Sequence, residues 1–240
     1  MLPVVFFTKD RTRTAAEAIS RLVKYLSCGG MEIVFVIADD GSMEGHLDRL
    51  EAVVHDLPHC FTQSGGRGLP ASMNLGIAAA LSLSDVFLRT EDDWMLEKPL
   101  DVSRWVEDVR RGPAGVVRLG MMFRDPDEFT PYPNDGSLMR LRSRPGRVCD
   151  VNNQVAIVGE QVHCLVGGYS EDLPADKAEV DFAIRFGKAT DKGSLSPWVC
   201  WPKGWPLGKM DDPSLFFIHA GKSSLGHGRY AIPDRYRHLL

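Results

Sequence analysis

Short, unbroken apolar runs alternate with segments of helical periodicity along the N-terminal part of the chain. The apolar runs predict strands at residues 4–7, 33–38, 60–62 and 85–89. The periodic segments predict helices that start at residue 14 and that cover residues 47–54 and 71–81. The first helix is expected to open with the capping-box pair Thr14 and Glu17 and to stop at Gly29. Strands that alternate with helices in this way predict a parallel sheet with helices on both faces.

The remainder of the chain is less regular. Its patterning indicates helices at residues 102–110 and 177–186 and strands at residues 116–119 and 215–219. The segments 137–142 and 154–158 are expected to pair with each other across irregular turns. Residues 197–213 are rich in Trp, Pro and Gly, which predicts a loop. Because the sequence has no internal repeat and no low-complexity linker, we expect a single α/β domain.

The composition is that of an ordinary globular protein. The 240 residues are 44% hydrophobic and 25% charged, and a net charge of −4 gives no basic footprint for nucleic acid. No apolar run approaches the roughly 20 residues of a membrane helix, and the N-terminus lacks the basic segment of a signal peptide. The five cysteines are widely spaced, which favours buried thiols in a reducing compartment over disulfides or a zinc site. We therefore expect a cytoplasmic protein.

Acidic residues follow two of the predicted strands, at the point where each strand ends. Asp39 and Asp40 close the second strand, and Glu91, Asp92 and Asp93 close the fourth. Ligands of an open parallel sheet bind beyond the carboxyl ends of its strands. Buried negative charge there needs a compensating cation, and hard oxygen ligands suit Mg²⁺ or Mn²⁺. Both clusters can also be helix caps or solvated turns, and for the 40–42 turn alone that explanation is the better one, but two clusters on neighbouring strand ends favour a functional site.

Two other kinds of site are not supported. The first strand is followed by Lys9, Asp10 and Arg11 rather than by a glycine-rich turn, which argues against a dinucleotide site. No Gly-x-Ser-x-Gly sequence is present, which argues against a serine hydrolase. The acidic clusters therefore remain the main candidates for chemistry.

The order of the motifs resembles that of the family-2 glycosyltransferases, which have the GT-A fold. The similarity rests on the acidic turn at 39–42, the glycine-rich loop at 64–68, the segment Asn74-Leu75-Gly76-Ile77 and the acidic cluster at 91–93. It implies a GT-A fold with a mostly parallel central sheet. The residues implied in nucleotide binding are Asp39, Asp40, Arg67 and Asp92. The residues implied in binding Mn²⁺ or Mg²⁺ are Asp93, which stands at the last carboxylate of the family's Asp-x-Asp motif, with Glu91 and His219 as further ligands.

A similarity in the second half implies a catalytic base. Gly167-Gly168-Tyr169 resembles the family's turn near the acceptor, and the segment from Glu179 to Arg185 resembles its Glu-Asp-x-Asp-Leu-x-x-Arg helix start. Glu179 then stands at the position of the family's catalytic Asp. Asp181 or Asp176 takes that role if the register is shifted.

The resemblance implies a hexosyltransferase that uses a nucleotide diphosphate sugar and an unidentified acceptor: a glycan, a lipid, a protein or a nucleic-acid base. A carboxylate base opposite the leaving group would give inversion at the anomeric carbon. We expect residues 1–95 to bind the donor, residues 96–220 to bind the acceptor and residues 221–240 to form a tail. One alternative is a nucleotidyltransferase of related fold, although the chain lacks a glycine-rich phosphate loop after the first strand. The other is a catalytically silent nucleotide- or carbohydrate-binding module.

Overall fold

The computed structural model describes residues 1–111, 115–120, 129–131, 138–141, 155–191, 199–202 and 217–219. The predicted tail at 221–240 and most of the predicted loop at 197–213 lie outside these ranges. Within them the chain forms an α/β domain on one large sheet, with helices on both faces, as the sequence predicts. None of the helices in these ranges is both long and apolar enough to cross a membrane.

Strands and helices alternate in the first part of the chain, and their order is less regular in the remainder. The strands are β1 (Leu2–Thr8), β2 (Leu26–Ser27), β3 (Ile33–Asp39), β4 (His59–Gln63), β5 (Val86–Glu91), β6 (Trp94–Leu96), β7 (Leu100–Asp101), β8 (Val116–Gly120), β9 (Phe129–Pro131), β10 (Leu138–Leu141), β11 (Val155–Gly159), β12 (Val199–Pro202) and β13 (Phe217–His219). The helices are α1 (Thr12–Tyr25), α2 (His46–Val54), α3 (Leu69–Leu83), α4 (Ser103–Arg111), α5 (Glu160–Val166) and α6 (Ala175–Asp191). Every strand and helix predicted before residue 95 is present, with bounds that differ by a few residues.

The large sheet has the strand order β4-β3-β1-β5-β11-β8-β12-β10-β9. Strands β4, β3, β1 and β5 are parallel, and their register places Thr8 opposite Asp39 and Phe7 opposite Glu91. Strand β11 runs antiparallel to both β5 and β8 and joins the parallel part of the sheet to the rest. The carboxyl ends of β1, β3 and β5 therefore lie side by side at one edge.

Alternate side chains of β1 face two different layers of helices. Val4 and Phe6 pack with apolar residues of α1, α2 and α4, whereas Val5 and Phe7 pack with those of α3, α5 and α6. A central strand covered on both faces buries both sets of side chains. Gly76 lets α3 approach the sheet closely, because a Cβ at this position would lie 2.9 Å from Cγ1 of Val5. The two layers hold the acidic edge on a rigid support.

The bounds of α1 differ from the prediction. The helix begins at Thr12 with Arg11 in the N-cap position, and Thr14 is a buried residue of its first turn. Because Thr14 packs inside the domain, the predicted capping box is wrong. The helix ends at Tyr25, before the predicted stop, because Leu26 pairs with β7 as part of a short strand.

The pairing expected between residues 137–142 and 154–158 is also wrong. Strand β11 lies between β5 and β8, while β10 pairs with β9 and β12. All five residues of β11 are buried, which suits a strand in the middle of the sheet and not one half of an edge hairpin. Strand β12 falls inside the predicted loop at 197–213, and α5 has no counterpart among the predicted elements.

Candidate functional site

Three loops meet at the carboxyl edge of the parallel strands, one after each of β1, β3 and β5. Strand β3 ends at Asp39, which Asp40 follows, and the turn after β5 contains Asp92 and Asp93. These four residues are buried, with between 2% and 5% of their surface exposed. The structure thus brings the two acidic clusters of the sequence to the same edge of the sheet.

Asp39 shapes the turn that follows β3. Its carboxylate accepts hydrogen bonds from the backbone N–H of Gly41 at 3.0 Å, from the N–H of Ser42 at 3.1 Å and from Ser42 Oγ at 2.5 Å. Gly41 has a φ of +74°, and a Cβ there would lie 2.5 Å from the backbone nitrogen of Gly66. Glycine at this position therefore allows the acidic turn to touch the glycine-rich loop.

Asp40 is fixed by three donors from two loops. It accepts hydrogen bonds from Lys9 Nζ at 3.0 Å, from Ser64 Oγ at 2.5 Å and from the backbone N–H of Gly68 at 2.8 Å. Burial raises the pKa of Asp40, but these hydrogen bonds together with the charge of Lys9 outweigh burial and keep the pKa below its ordinary value. Asp40 is therefore a fixed, ionised carboxylate at neutral pH.

Arg11 connects the two carboxylates after β5. Its Nη1 donates to Asp92 Oδ1 at 2.9 Å and to Asp93 Oδ2 at 2.5 Å. Asp92 Oδ2 accepts two further hydrogen bonds, from Thr8 Oγ1 at 3.1 Å and from the backbone N–H of Lys9 at 3.2 Å. The segment between β1 and α1 therefore supplies donors that hold this cluster in place.

His46 extends the network to the start of α2. Its ring is buried, with Nε2 lying 3.0 Å from Thr8 Oγ1 and Nδ1 lying 2.8 Å from Thr12 Oγ1. Burial lowers the pKa of His46, and the opposing charges of Asp39 and Asp10 do not cancel this effect. The ring is therefore neutral at neutral pH.

Negative charge is in excess around the turn after β5. Burial raises the pKa of Asp92 to about 6, and Asp93 adds to the rise while Arg11 opposes it. Burial likewise raises the pKa of Glu91 to about 8, against the opposing charge of Arg89. An added cation would favour the ionised carboxylates. The donor set, buried carboxylate oxygens, thus fits Mg²⁺ or Mn²⁺.

The described residues do not form a closed metal cage. Within the described ranges, no three acidic, cysteine or histidine side chains converge on a single metal position. Mg²⁺ is commonly held by only one or two carboxylates together with substrate phosphates and water, so the cluster suits that kind of site. His219 lies in β13 opposite Trp94, the neighbour of Asp93 in sequence, and its side chain is outside the described part of the structure.

Arg89 is a buried charge that no sequence motif identified. Its Nη1 donates to Tyr169 Oη at 2.8 Å and its Nη2 donates to Glu91 Oε1 at 3.2 Å. Its guanidinium also lies 5.2 Å from the centre of the Phe7 ring. Burial disfavours the charge, but Tyr169, Glu91 and Glu179 raise the pKa of Arg89 above its ordinary value. The sequence signal for Arg89 was a charged residue within the apolar run that forms β5.

Glu179 lies half-buried in α6, near the acidic cluster. Burial is the largest influence on the pKa values of Arg89, Glu91 and Tyr169, and the charge of Glu179 raises all three. The structure thus places Glu179 in the same electrostatic environment as Glu91. The side chain of Asp176, the other candidate before it, is outside the described part of the chain.

Asp181 has different surroundings on the same helix. Its carboxylate accepts hydrogen bonds from Ser170 Oγ at 2.7 Å and from Arg185 Nε at 2.9 Å. These two hydrogen bonds lower the pKa of Asp181. Arg185 also donates to the backbone carbonyl groups of Val166 and Gly168. Asp181 therefore helps to tie α6 to the turn after α5.

Asn74 of α3 holds that turn from the other side. Its Oδ1 accepts the backbone N–H of Tyr169 at 2.8 Å, and its Nδ2 donates to the carbonyl of Tyr169 and to Glu171 Oε1, both at 2.9 Å. A Cβ at Gly168 would lie 2.7 Å from Asn74 Oδ1, so the contact is close. Arg67 Nη1 pairs with Glu171 Oε2 at 3.2 Å on the surface. The glycine-rich loop and the turn after α5 are thereby connected beside the acidic edge.

No protein-family model and no curated protein matches the chain. The mannosyltransferase PcManGT from Pyrobaculum calidifontis, solved with GDP-Man and Mn²⁺, is similar with a TM-score of 0.54 and 15% identity, over 85% of this chain and 57% of that one. Residues 1–349 of S. aureus TarS, solved with UDP, give a TM-score of 0.55 and 14% identity, over 85% and 58%. Glucosyl-3-phosphoglycerate synthase from Mycobacterium tuberculosis, solved with Mg²⁺ and UDP, gives 0.54 and 14%, over 92% and 72%. The chain has the GT-A fold.

The structural similarity confirms the resemblance to nucleotide-diphospho-sugar transferases at the level of the fold. It also confirms the predicted fold class, a single α/β domain with a central, mostly parallel sheet. The chain spans less than two thirds of the length of the PcManGT and TarS structures. With identities of 14% and 15%, the comparison establishes the GT-A fold, and the activity has to be inferred from the side chains at the acidic edge.

Proposed function

We propose that the chain is a glycosyltransferase that moves a sugar from a nucleotide diphosphate sugar to an acceptor hydroxyl, with Mn²⁺ or Mg²⁺ at the site. The observation that carries the proposal is the acidic edge of the GT-A sheet, where Asp39 and Asp40 lie on one side of the end of β1 and the turn with Asp92 and Asp93 lies on the other. A diphosphate can bind next to buried carboxylates only with cations between them. The structures of PcManGT and TarS contain GDP-Man with Mn²⁺ and UDP respectively.

The proposed nucleotide contacts are Asp39, Asp40, Arg67 and Asp92. Asp40 is supported best, because it is ionised and held by donors from two loops. A fixed carboxylate can accept hydrogen bonds from a nucleobase N–H or from ribose hydroxyl groups without reorganising. Arg67 contributes an exposed positive charge on the glycine-rich loop, within reach of a negatively charged ligand.

Asp93 is the proposed metal ligand, with Glu91 and His219 as further ligands. When bound, the metal would neutralise the charge that develops on the departing diphosphate. The chain's own part is to hold the carboxylates in place before the metal arrives. Thr8 does this for Asp92 through its hydroxyl group, and the domain core does it by fixing the end of β5.

Glu179 is the proposed general base, which takes the proton from the acceptor hydroxyl. Its half-buried position near Arg89, Glu91 and Tyr169 supports this role. Asp181 is the second candidate, although its carboxylate is already engaged with the turn after α5. A base on the face opposite the leaving group would give an inverting reaction.

We also propose that the donor binds to residues 1–95 and the acceptor to residues 96–220. The proposed nucleotide contacts all come from the first segment, and Glu179 comes from the second. The sheet connects the two segments through β5 and β11.

Release of nucleotide diphosphate from a panel of UDP- and GDP-sugars tests the proposal directly. With Mn²⁺ we expect slow release even without an acceptor, through transfer of the sugar to water, and we expect EDTA to abolish it. Chromatography of the nucleotides gives the rate. A nucleotidyltransferase would instead consume a nucleoside triphosphate and release pyrophosphate. A silent binding module would bind a nucleotide without turnover, and either result would replace the proposed function.

A further inference from the structure

One guanidinium nitrogen of Arg11 lies between two buried carboxylates. Its Nη1 is 2.9 Å from Asp92 Oδ1 and 2.5 Å from Asp93 Oδ2. The carboxylates are fixed at the end of β5, whereas the Arg11 side chain keeps 46% of its surface exposed. A partly exposed guanidinium group is therefore the counter-ion of two buried carboxylates.

Arg11 makes charge-assisted hydrogen bonds with both carboxylates. Lys9, a nearby cation of the same segment, is directed to Asp40 at 3.0 Å. Among the described residues, Arg11 thus contacts both members of the Asp92–Asp93 pair.

A divalent metal at these carboxylates needs the oxygen atoms that Arg11 already contacts. Mg²⁺ binds carboxylate oxygens at about 2.1 Å, so a metal on Asp93 Oδ2 would stand close to the guanidinium and repel it. A diphosphate offers Arg11 another partner, because arginine binds phosphate oxygens with the same N–H groups that it uses for carboxylates. A metal that arrives with a diphosphate can therefore bind these carboxylate oxygens more tightly than a metal alone.

We propose that Arg11 is the resident cation of the Asp92–Asp93 pair and competes with the divalent metal, so that metal binds tightly only together with a nucleotide diphosphate that draws Arg11 away. This inference rests on the proposed function, because it takes a diphosphate as the ligand that arrives with the metal. Metal without a nucleotide then binds weakly, and the position of Arg11 makes tight metal binding depend on the nucleotide diphosphate.

Titration with Mn²⁺ alone tests the competition in two matched variants, Arg11→Gln and Arg13→Gln. Both remove one positive charge near the start of α1, but Arg13 is exposed in the first turn of the helix. Electron paramagnetic resonance gives the free Mn²⁺ concentration, and circular dichroism confirms that each variant is folded. We expect Arg11→Gln to bind Mn²⁺ at least about tenfold more tightly than the wild-type protein. We expect Arg13→Gln to match the wild-type protein.

Saturating UDP or GDP provides the second arm of the experiment. In the wild-type protein the nucleotide should increase the Mn²⁺ affinity strongly, because it removes Arg11 from the carboxylates. In Arg11→Gln the same nucleotide should increase it less, since there is no cation to displace. An equal increase in both proteins would contradict the proposal.

Equal Mn²⁺ affinities of the wild-type protein and Arg11→Gln would overturn the proposal, as would an equal gain in Arg13→Gln. If Arg11→Gln does not fold, Arg11→Met replaces it, because methionine keeps the unbranched aliphatic side chain and removes the positive charge. Unchanged Mn²⁺ affinity in Arg11→Met would then count against the competition. If Arg11→Gln gains Mn²⁺ affinity but neither nucleotide binds, Arg11 competes with the metal, but the role given to the diphosphate is overturned together with the proposed function. Sugar transfer without a gain in Mn²⁺ affinity in Arg11→Gln would overturn the proposal about Arg11 and support the proposed function.

Discussion

At the scale of single residues, the acidic edge is held by donors that come from distant parts of the chain. Thr8, Lys9 and Arg11 reach Asp40 or Asp92 across 31 to 84 positions in sequence. These contacts fix the carboxylates in space, although burial, and after it the charge of Asp93, still raises the pKa of Asp92. Replacing a carboxylate by an amide therefore separates shape from charge.

Asp93→Asn is predicted to abolish metal-dependent nucleotide binding and to leave the fold intact. The amide keeps the size of the side chain but loses the charge that a divalent metal requires. Calorimetric titration with UDP and GDP, with and without Mn²⁺, measures the effect. Asp56→Asn, at an exposed position that follows α2, is the control and should behave as the wild-type protein. If Asp93→Asn kept the full metal-dependent affinity, Asp93 would serve only to shape the turn.

His46 is predicted to carry its proton on Nε2 at neutral pH. Thr8 Oγ1 donates its hydrogen to Asp92, so it accepts a hydrogen bond from His46 Nε2, and Nδ1 is left to accept one from Thr12. Two-dimensional ¹⁵N NMR of the ring identifies the tautomer. Burial lowers the pKa of His46, so the neutral ring should persist below pH 6.5. A ring protonated on Nδ1 alone would contradict this hydrogen-bond order.

The lowered pKa of His46 makes the stability of the folded protein depend on pH. In the unfolded chain the histidine takes up a proton near its ordinary pKa of 6.5, whereas the folded protein resists protonation until lower pH. The stability that His46 contributes is therefore complete above pH 6.5 and is lost as the pH falls through the lowered pKa.

Residue type and position along the chain were enough to predict that acidic residues gather at the sheet edge. Asp40 and Asp93 end or follow apolar runs, and that pattern can be read locally. The roles of Arg89 and His46 could not be read in this way. Arg89 meets Tyr169 across 80 positions and His46 meets Thr8 across 38, so only the folded chain brings the partners together.

At the scale of elements, hydrogen bonds join α6 and the turn after α5 into one unit. Asp181 and Arg185 of α6 bind the turn, and Asn74 of α3 binds it from the opposite side. This arrangement assigns different tasks to two carboxylates that lie only two positions apart on the helix. Asp181 maintains the turn, while Glu179 faces the environment of Arg89 and Glu91.

Glu179→Gln and Asp181→Asn are predicted to have separable effects. Loss of a general base should lower sugar transfer by about 10² to 10⁴ in Glu179→Gln, with unchanged nucleotide affinity and unchanged melting temperature. Asp181→Asn weakens two hydrogen bonds of the turn, so it should reduce stability by about 1 kcal/mol and affect transfer far less. Transfer rates and thermal melts of both variants decide the matter. An inactive Asp181→Asn beside an active Glu179→Gln would move the base by two residues.

The sequence predicted the first strands of the sheet better than the later ones, because the first strands can be recognised from local patterns. Strands β1, β3 and β5 are central and parallel, so each reads as a local apolar run between helices. Strand β11 lies between β5 and β8, and β12 lies between β8 and β10, an arrangement that no local pattern of these strands indicates. Strand order of that kind depends on the whole sheet, and the local pattern does not contain it.

At the scale of the whole molecule, two layers of helices support a sheet whose one edge concentrates negative charge. The net charge of the chain is −4, so the rest of the surface does not favour an anionic ligand either. A nucleotide diphosphate would therefore need the metal and the arginines of the edge in order to bind. The stability of the folded domain should report this requirement, because any ligand that binds only the folded state stabilises it.

UDP or GDP together with Mn²⁺ is predicted to raise the melting temperature, and the nucleotide with EDTA is predicted to raise it much less. Ligand at 100 times its dissociation constant adds about 2.7 kcal/mol of stability, which corresponds to about 5–10 °C for a domain of this size. Without the metal, the carboxylates around Asp93 repel the phosphates and the affinity falls. Scanning calorimetry with UDP, GDP and the free nucleosides measures each case. Equal shifts with Mn²⁺ and with EDTA would show that the domain binds nucleotide diphosphates through Arg11, Lys9 and Arg67 alone, without a metal.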